Sequence, residues 1–210
     1  MKQARLENLT DGIFAIVMTL LVLEMKIPNL TVLTPYTILN SFRELIPYFM
    51  SYLTSFALLY VYWQAHHFII SVYARNINLT LANINALFLF LIGMIPFSSH
   101  VLGLYHASYG IVIFFAIHVI AIGCVLYYMR WYIKHSSSIH NVEVTPKEDR
   151  HSQARILFPI FCALLAICVS FLDSRASLVM LTLGILFNYS SRSTRITFNL
   201  LSVFVPRHEK

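Results

Sequence analysis

Charge is scarce in this sequence. Asp, Glu, Lys and Arg make up 11% of its 210 residues, and only nine residues are acidic. Hydrophobic residues make up 58%, and they fall in long blocks rather than in the alternation of half-buried strands. A separate soluble domain has no room beside those blocks, so the composition points to an all-α polytopic membrane protein. Enzymatic signatures are also missing. There is no GxSxG, no P-loop and no HExxH, and no TVGYG filter sequence either. No catalytic activity and no cofactor is expected. Cys124, Cys162 and Cys168 are the only cysteines, lie inside apolar blocks and show no CxxC spacing, so unpaired buried thiols are expected. The net charge of +6 does not point to nucleic acid, because the basic residues sit between apolar blocks, where they orient helices. Lys2 and Arg5 precede an apolar run as in a secretory leader. No small-residue cleavage site follows, however, and Asp11 and Glu24 flank the run, so it is expected to stay in the protein.

What is present is organised around the stretch from Arg5 to Glu24. Between Gly12 and Glu24 only Thr19 is polar, and this apolar run rises roughly 16 Å against a hydrocarbon core of about 30 Å. To span, the helix must carry Asp11 and the residues before it into the membrane zone, where a carboxylate needs a partner or a polar interior. That predicts an inner helix wrapped by others. A surface loop with Pro28 and Pro35 is expected from Met25 to about Arg43, followed by five more apolar blocks at about 46–72, 79–101, 108–131, 156–172 and 176–187. Pro96 is expected to break the third block, and Asp173-Ser-Arg175 to join the last two as a tight hairpin. Residues 1–190 thus form a six-helix membrane domain. A solvated, charge-rich loop is expected at 133–155 and a basic tail at 191–210. With the amino terminus cytoplasmic, twelve of the fifteen Lys and Arg fall inside and only Lys26, Arg43 and Arg175 outside, which places both termini in the cytoplasm of a cell-membrane protein.

On a helical wheel Ile16, Leu20 and Leu23 form one narrow stripe, with Thr19 one ridge over. Such a stripe can be ordinary core or lipid-facing surface. Repeated around a symmetry axis, it would line a pore with rings of branched aliphatic side chains, a constriction that gates by dewetting. Thr19 would add a hydroxyl ring and Glu24 would mark the outer mouth. Asp11 can join a hydrogen-bonded network with Trp63, His66, His67, Asn83 and Asn85, a structural role. A metal site at His66 and His67 with Asp11 is disfavoured, because adjacent helical residues point about 100° apart. His118 reads as a packed histidine.

Arg5-x3-Leu9-Thr10-Asp11-Gly12 resembles the Arg-x3-Phe-Ser-Asp signature that opens the first helix of the transmembrane protein 175 potassium channels, in their prokaryotic single-repeat form. Trp63-x2-His66-His67, Asn85 and Pro96-Phe97 resemble that family too, with Leu9 and Thr10 departing from its Phe and Ser. The resemblance implies a homotetramer in the lipid bilayer, with the first helices around a central potassium pathway and Ile16, Thr19, Leu20 and Leu23 lining it. It also implies that Arg5, Thr10 and Asp11 bond to the second and third helices, through His66 or His67 and Asn85. Selectivity would then come from the greater cost of dehydrating sodium at a narrow apolar ring. The alternative from another class is a proton-linked secondary transporter, suggested by Asp11, Glu24 and the membrane histidines; no inverted repeat supports it. A structural membrane protein without flux is a third reading.

Overall fold

In the computed structural model, residues 3–25, 35–136, 139 and 145–189 are described, and all their regular elements are helices apart from an isolated bridge at Ala74. The helices are α1 (Gln3–Leu23), α2 (Pro35–Phe68), α3 (Leu79–Gly93), α4 (Ile95–Leu104), α5 (Tyr109–His135), α6 (Pro146–Ser170) and α7 (Ser174–Tyr189), with a π-helical turn at Ile69–Tyr73 closing α2. Five helical stretches are long and apolar enough to cross a bilayer: Gln3–Leu23, Leu39–Tyr73, Leu79–Leu104, Tyr109–His135 and Ser152–Ser170. The shorter α7, 16 residues or roughly 24 Å, packs on α6 and α2.

α1 is one continuous helix of 21 residues, about 32 Å long. The apolar run is only its second half. Its first half carries Arg5, Glu7 and Asp11 into the same helix. α2 begins at Pro35, well before the expected block. Proline is accommodated in a first helical turn, where no backbone N–H is needed, and the surface loop expected to run to Arg43 is correspondingly shorter.

The break at Pro96 falls where the missing N–H predicts it. α3 stops at Gly93, Met94 donates back to the Leu91 carbonyl at 3.1 Å, and Pro96 occupies the first turn of α4. His118 on α5 braces this break, its Nε2 3.0 Å from the Leu91 carbonyl and its Nδ1 2.9 Å from the Ser98 hydroxyl. The α6–α7 hairpin is as tight as expected. Asp173 accepts from the Arg175 backbone at 2.8 Å, Ser177 donates to the Ala166 carbonyl at 2.6 Å, and Gly184 leaves room for the Cys162 thiol.

Where it is described, the charge-rich segment around 133–155, expected as a solvated loop, is largely the ends of two helices. Helices enter it from both sides, Ile139 is buried, and its carbonyl accepts from the Arg75 backbone at 2.7 Å. The tie is Asp149, which accepts from the Tyr73 hydroxyl at 2.7 Å and the Lys134 ammonium at 2.7 Å, and pairs with the buried Arg130 guanidinium. Burial opposes the charge on Asp149, but bonds from Lys134 and Tyr73 and the Arg130 cation outweigh it and hold the carboxyl below its ordinary value. These contacts bind the start of α6 to α5 and to the π-helical turn. Of the three thiols, Cys162 is buried as expected; Cys124 and Cys168 are exposed, because their positions face outward on α5 and α6. The tail at 191–210 lies outside the described residues.

Candidate functional site

α1 is held by one face. Leu6, Thr10, Phe14, Val17 and Leu21 recur at spacings of three or four and are all buried, against α2, α3 and α4. At the centre of that face sits a polar knot. Asn85 on α3 directs its amide nitrogen at the Thr10 hydroxyl, 3.4 Å away, while its oxygen lies 2.6 Å from His66 Nε2 on α2. With the amide so turned, its oxygen accepts and His66 donates through Nε2. All three residues are at most 2% exposed, and the His66 ring stacks on Phe88, at 5.1 Å between centroids and 6° between planes. Phe88 in turn meets Phe14 at 6.0 Å. In a medium without water, each buried polar group must find such a partner inside the protein.

A second set of bonds runs along the flank of α1. The Trp63 indole donates to the Asp11 carboxylate at 2.8 Å, the Ser71 hydroxyl to the Glu7 carboxylate at 2.9 Å, and the Gln3 amide to the Ile70 carbonyl at 3.0 Å. Gln3, Glu7 and Asp11 lie four residues apart, so one ridge of α1 meets one side of α2 and its π-helical turn. Glu7, Gln3 and Ser71 were not singled out from the sequence, although that four-residue period of polar residues is the signal that marks them. His67 stacks on Trp63, with Nδ1 3.5 Å from the Ser71 hydroxyl. His66 and His67 therefore point apart, one into the knot and one outward, as adjacent helical positions must.

Arg5 does not join this network. It is exposed, and among the described residues it has no hydrogen-bond or ion-pair partner within the subunit. Six residues before Asp11, it falls on a different side of the helix. That side is the one carrying Ile16, Leu20 and Leu23, which are 59%, 42% and 64% exposed. Arg5, Leu9, Gly12, Ile16, Leu20 and Leu23 thus make one uncovered stripe along the whole of α1. Thr19 is also exposed, and its hydroxyl donates to the Ile16 carbonyl at 2.8 Å. Asn83 is exposed on α3 rather than packed between helices.

Glu24 follows the last turn of α1. Its Oε2 lies 2.9 Å from His100 Nδ1 on α4, a charge-pair distance without hydrogen-bond alignment, and the His100 ring rests 6.4 Å from Tyr48. His100 is a partner that sequence reading missed, because it lies 76 residues away and only the α3–α4 break brings it there.

Helices of these lengths, with a buried polar knot fastening the first to the second and third, define an all-α polytopic membrane protein. A family model described as the endosomal/lysosomal potassium channel TMEM175 matches residues 5–96, the stretch that holds every member of the knot. The crystal structure of a lysosomal potassium-selective channel TMEM175 homolog from Chamaesiphon minutus superposes with a TM-score of 0.73 at 29% identity, covering 91% of this chain and 97% of that one. Residues 5–96 are thus similar to the TMEM175 family, and the fold extends that likeness over 91% of the chain. A potassium channel of Chamaesiphon minutus is 39% identical over 101 residues, and one of a Chryseobacterium strain is 30% identical over 117. Those alignments take in 48% and 53% of this chain and 49% and 57% of the relatives, so the chain spans about half the length of these two curated relatives. A third potassium channel, from Streptomyces collinus, is 24% identical over 158 residues, 73% of this chain and 75% of that one.

Proposed function

We propose that this protein is a passive potassium-selective channel, and that α1 lines its pathway. The observation that carries the reading is the division of α1: one face is buried and hydrogen-bonded, while a stripe roughly a third of a turn away, apolar from Ile16 to Leu23 apart from Thr19 on its edge, is left open on a helix fixed in place. Four copies around an axis would turn those stripes inward. Ile16, Leu20 and Leu23 would then form apolar rings, Thr19 would contribute a hydroxyl edge, and Glu24 would stand at the mouth beside His100.

An apolar ring offers an ion no substitute for its water. A permeant ion must therefore keep or shed hydration at its own cost, and sodium, which holds water more tightly than potassium, is penalised more. The knot of Thr10, Asn85 and His66 and the Trp63–Asp11 bond would set the tilt of α1 and hence the ring diameter. The positive-inside bias puts the Gln3 end of α1 in the cytoplasm of a cell membrane, with both termini on that side. Glu24 then faces outward.

Purified protein in liposomes, loaded with potassium and given a counter-ion shunt, tests this. Potential-driven potassium flux exceeding sodium flux is expected, with no gradient of a second ion required. Flux that appears only with a proton gradient would replace the channel by a coupled carrier. Unaltered flux from Ile16→Ala, Leu20→Ala and Leu23→Ala alike would sink the pore assignment.

A further inference from the structure

We propose that Glu24 and His100 form a binding site for an octahedral divalent transition-metal ion, of the nickel and cobalt kind, at the Leu23 end of α1. Glu24 Oε2 and His100 Nδ1 lie 2.9 Å apart, yet they are not hydrogen-bonded: Nδ1 is buried and has no aligned partner. A charged pair held for its own sake aligns the N–H with the carboxylate oxygen, which is what makes such bonds short and strong. Two donors that share a metal ion behave differently. Each directs its lone pair at the ion, so their axes converge on a third point rather than on each other. At metal–ligand lengths of about 2.1 Å, adjacent donors of an octahedron stand roughly 3 Å apart, which matches the separation of this pair.

The local structure holds both groups ready. α1 ends in tightened bonds, from Glu24 N to the Leu21 carbonyl at 3.3 Å and from Met25 N to the Val22 carbonyl at 3.2 Å, so the Glu24 side chain leaves from the rim of the helix. His100 arrives on α4, which packs on α1 after the break at Pro96. Its ring is braced. Tyr48 of α2 lies 6.4 Å away between centroids, and Tyr48 is itself pressed on Gly103, where a Cβ would come within 2.8 Å of its ring. The Ser51 hydroxyl bonds to the Ser99 carbonyl, tying α2 to α4 one residue before His100. A ligand ring fixed by such neighbours needs little ordering when an ion arrives.

The pair is also reachable. The His100 and Glu24 side chains are 30% and 35% exposed, enough to exchange an ion and to leave its remaining positions to water. Among the described residues, neither side chain has another hydrogen-bond or ion-pair partner to compete for it. One imidazole nitrogen beside one carboxylate oxygen suits Ni²⁺, Co²⁺ and Mn²⁺, in falling order of affinity, whereas Mg²⁺ and Ca²⁺ take oxygen ligands and gain nothing from the ring. The effect on transport rests on the channel reading, while binding itself does not. If Glu24 marks the mouth, a metal ion there occupies the carboxylate that would attract potassium and sets two positive charges in its way, so bound metal lowers flux.

Calorimetric titration of the tag-free full chain in detergent with Ni²⁺ tests the site. One ion per chain is expected, with Co²⁺ and Mn²⁺ successively weaker and Ca²⁺ and Mg²⁺ weaker than Ni²⁺ by roughly tenfold or more. His100→Ala and Glu24→Gln should each weaken Ni²⁺ by roughly tenfold or more, while His106→Ala, which removes another histidine near the end of α4, leaves it unchanged. Because a misfolded variant would also lose the ion, His100→Cys gives a second reading. A thiolate there should turn the preference from Ni²⁺ toward Cd²⁺ relative to the wild type, a gain that unfolding does not produce. No Ni²⁺ binding by the wild type, wild-type affinity in both His100→Ala and Glu24→Gln, or Ca²⁺ binding as tightly as Ni²⁺ would overturn the proposal. In liposomes, Ni²⁺ on the Glu24 side should lower potassium flux through the wild type, and His100→Ala should need roughly tenfold more of it; flux indifferent to Ni²⁺ at saturation would overturn the block. The site and the channel fail separately: Ni²⁺ binding without any potassium flux sinks the channel reading alone, and selective flux from protein that binds no Ni²⁺ sinks the site alone.

Discussion

Along α1, Leu6, Thr10, Phe14, Val17 and Leu21 are closed off by α2, α3 and α4, while Arg5, Leu9, Ile16, Leu20 and Leu23, roughly a third of a turn away, are exposed. Both faces are mostly apolar, so hydrophobicity does not distinguish them. What does is the polar chemistry threaded between them. Thr10 sits on the closed face and the Gln3, Glu7 and Asp11 ridge lies along its edge, so each hydrogen bond to α2 or α3 turns the same side of the helix inward. In lipid, apolar surface alone exerts little preference between a helix and its surroundings, and directed bonds and close packing fix the rotation. The closed face should therefore govern stability and the open face transport, and mutations can separate the two.

The largest effect belongs to the closed face. Phe14 is 2% exposed, and its ring packs on Phe88 beneath His66. Phe14→Ala should cost about 3 kcal/mol, the low end of core Phe truncations because lipid supplies less of the transfer free energy than water does. Thermal melting in detergent should show it as a clear drop. Leu20→Ala, one turn and a half further along on the open face, should melt with the wild type. Equal losses in the two variants would erase the distinction.

Next comes the knot itself. Asn85→Leu keeps the volume but removes both bonds, leaving the His66 donor and the Thr10 hydroxyl without their partner, and about 1–2 kcal/mol should be lost. His66→Leu in the Asn85→Leu background should cost less than in the wild type, since it then removes a group already unpaired. Additive losses in this cycle would mean that the two side chains act separately.

A comparable loss, about 1–2 kcal/mol after allowing for solvent at a half-buried site, is expected for Asp149→Asn, which weakens the tie among Arg130, Lys134 and Tyr73. Its pH dependence has a definite sign. The folded carboxyl titrates below its unfolded value, so the stabilisation is complete above the ordinary carboxylate range and is lost as pH falls through the lower, folded value. Melting followed down in pH should show this decline in the wild type and a flatter profile in the variant. This contact, remote from the open stripe, should leave the potassium-to-sodium flux ratio unchanged.

Much of this architecture could be read without coordinates. Long apolar blocks mark bilayer spans, and Pro96 marks a break, because both follow from local chemistry. That Ile16, Leu20 and Leu23 share one stripe was legible by period alone, but not that the stripe is left exposed. What escaped was contact between distant segments. Glu24 beside His100, Ser71 beside Glu7 and Asp149 under Tyr73 join residues 76, 64 and 76 apart in the chain, and no local pattern encodes such pairings. Arg5 was assigned to the knot by resemblance, yet its place on the wheel puts it on the open stripe. The loop expected around 133–155 misled for another reason. Its charges resemble a solvated stretch, but three donors converging on Asp149 fold them into helix ends.

The smallest effect is expected from Thr19→Val, and it bears on how the open face works. The Thr19 hydroxyl donates to the Ile16 carbonyl at 2.8 Å, one residue from the Ala15 carbonyl that helical back-bonding also offers, so its proton is committed to its own helix. Removing it should change stability by less than about 0.5 kcal/mol. For transport the oxygen still has lone pairs, and the two accounts of the stripe diverge here. If apolar rings alone discriminate between ions by dehydration, Thr19→Val lengthens the apolar stretch and should lower conductance slightly while keeping or raising the preference for potassium. If the hydroxyls coordinate the ion, the same change should reduce the preference toward unity. Flux ratios from liposomes containing Thr19→Val and, in parallel, Leu23→Asn decide between them, because Leu23→Asn adds polarity to a ring and should lower selectivity only under the dehydration account.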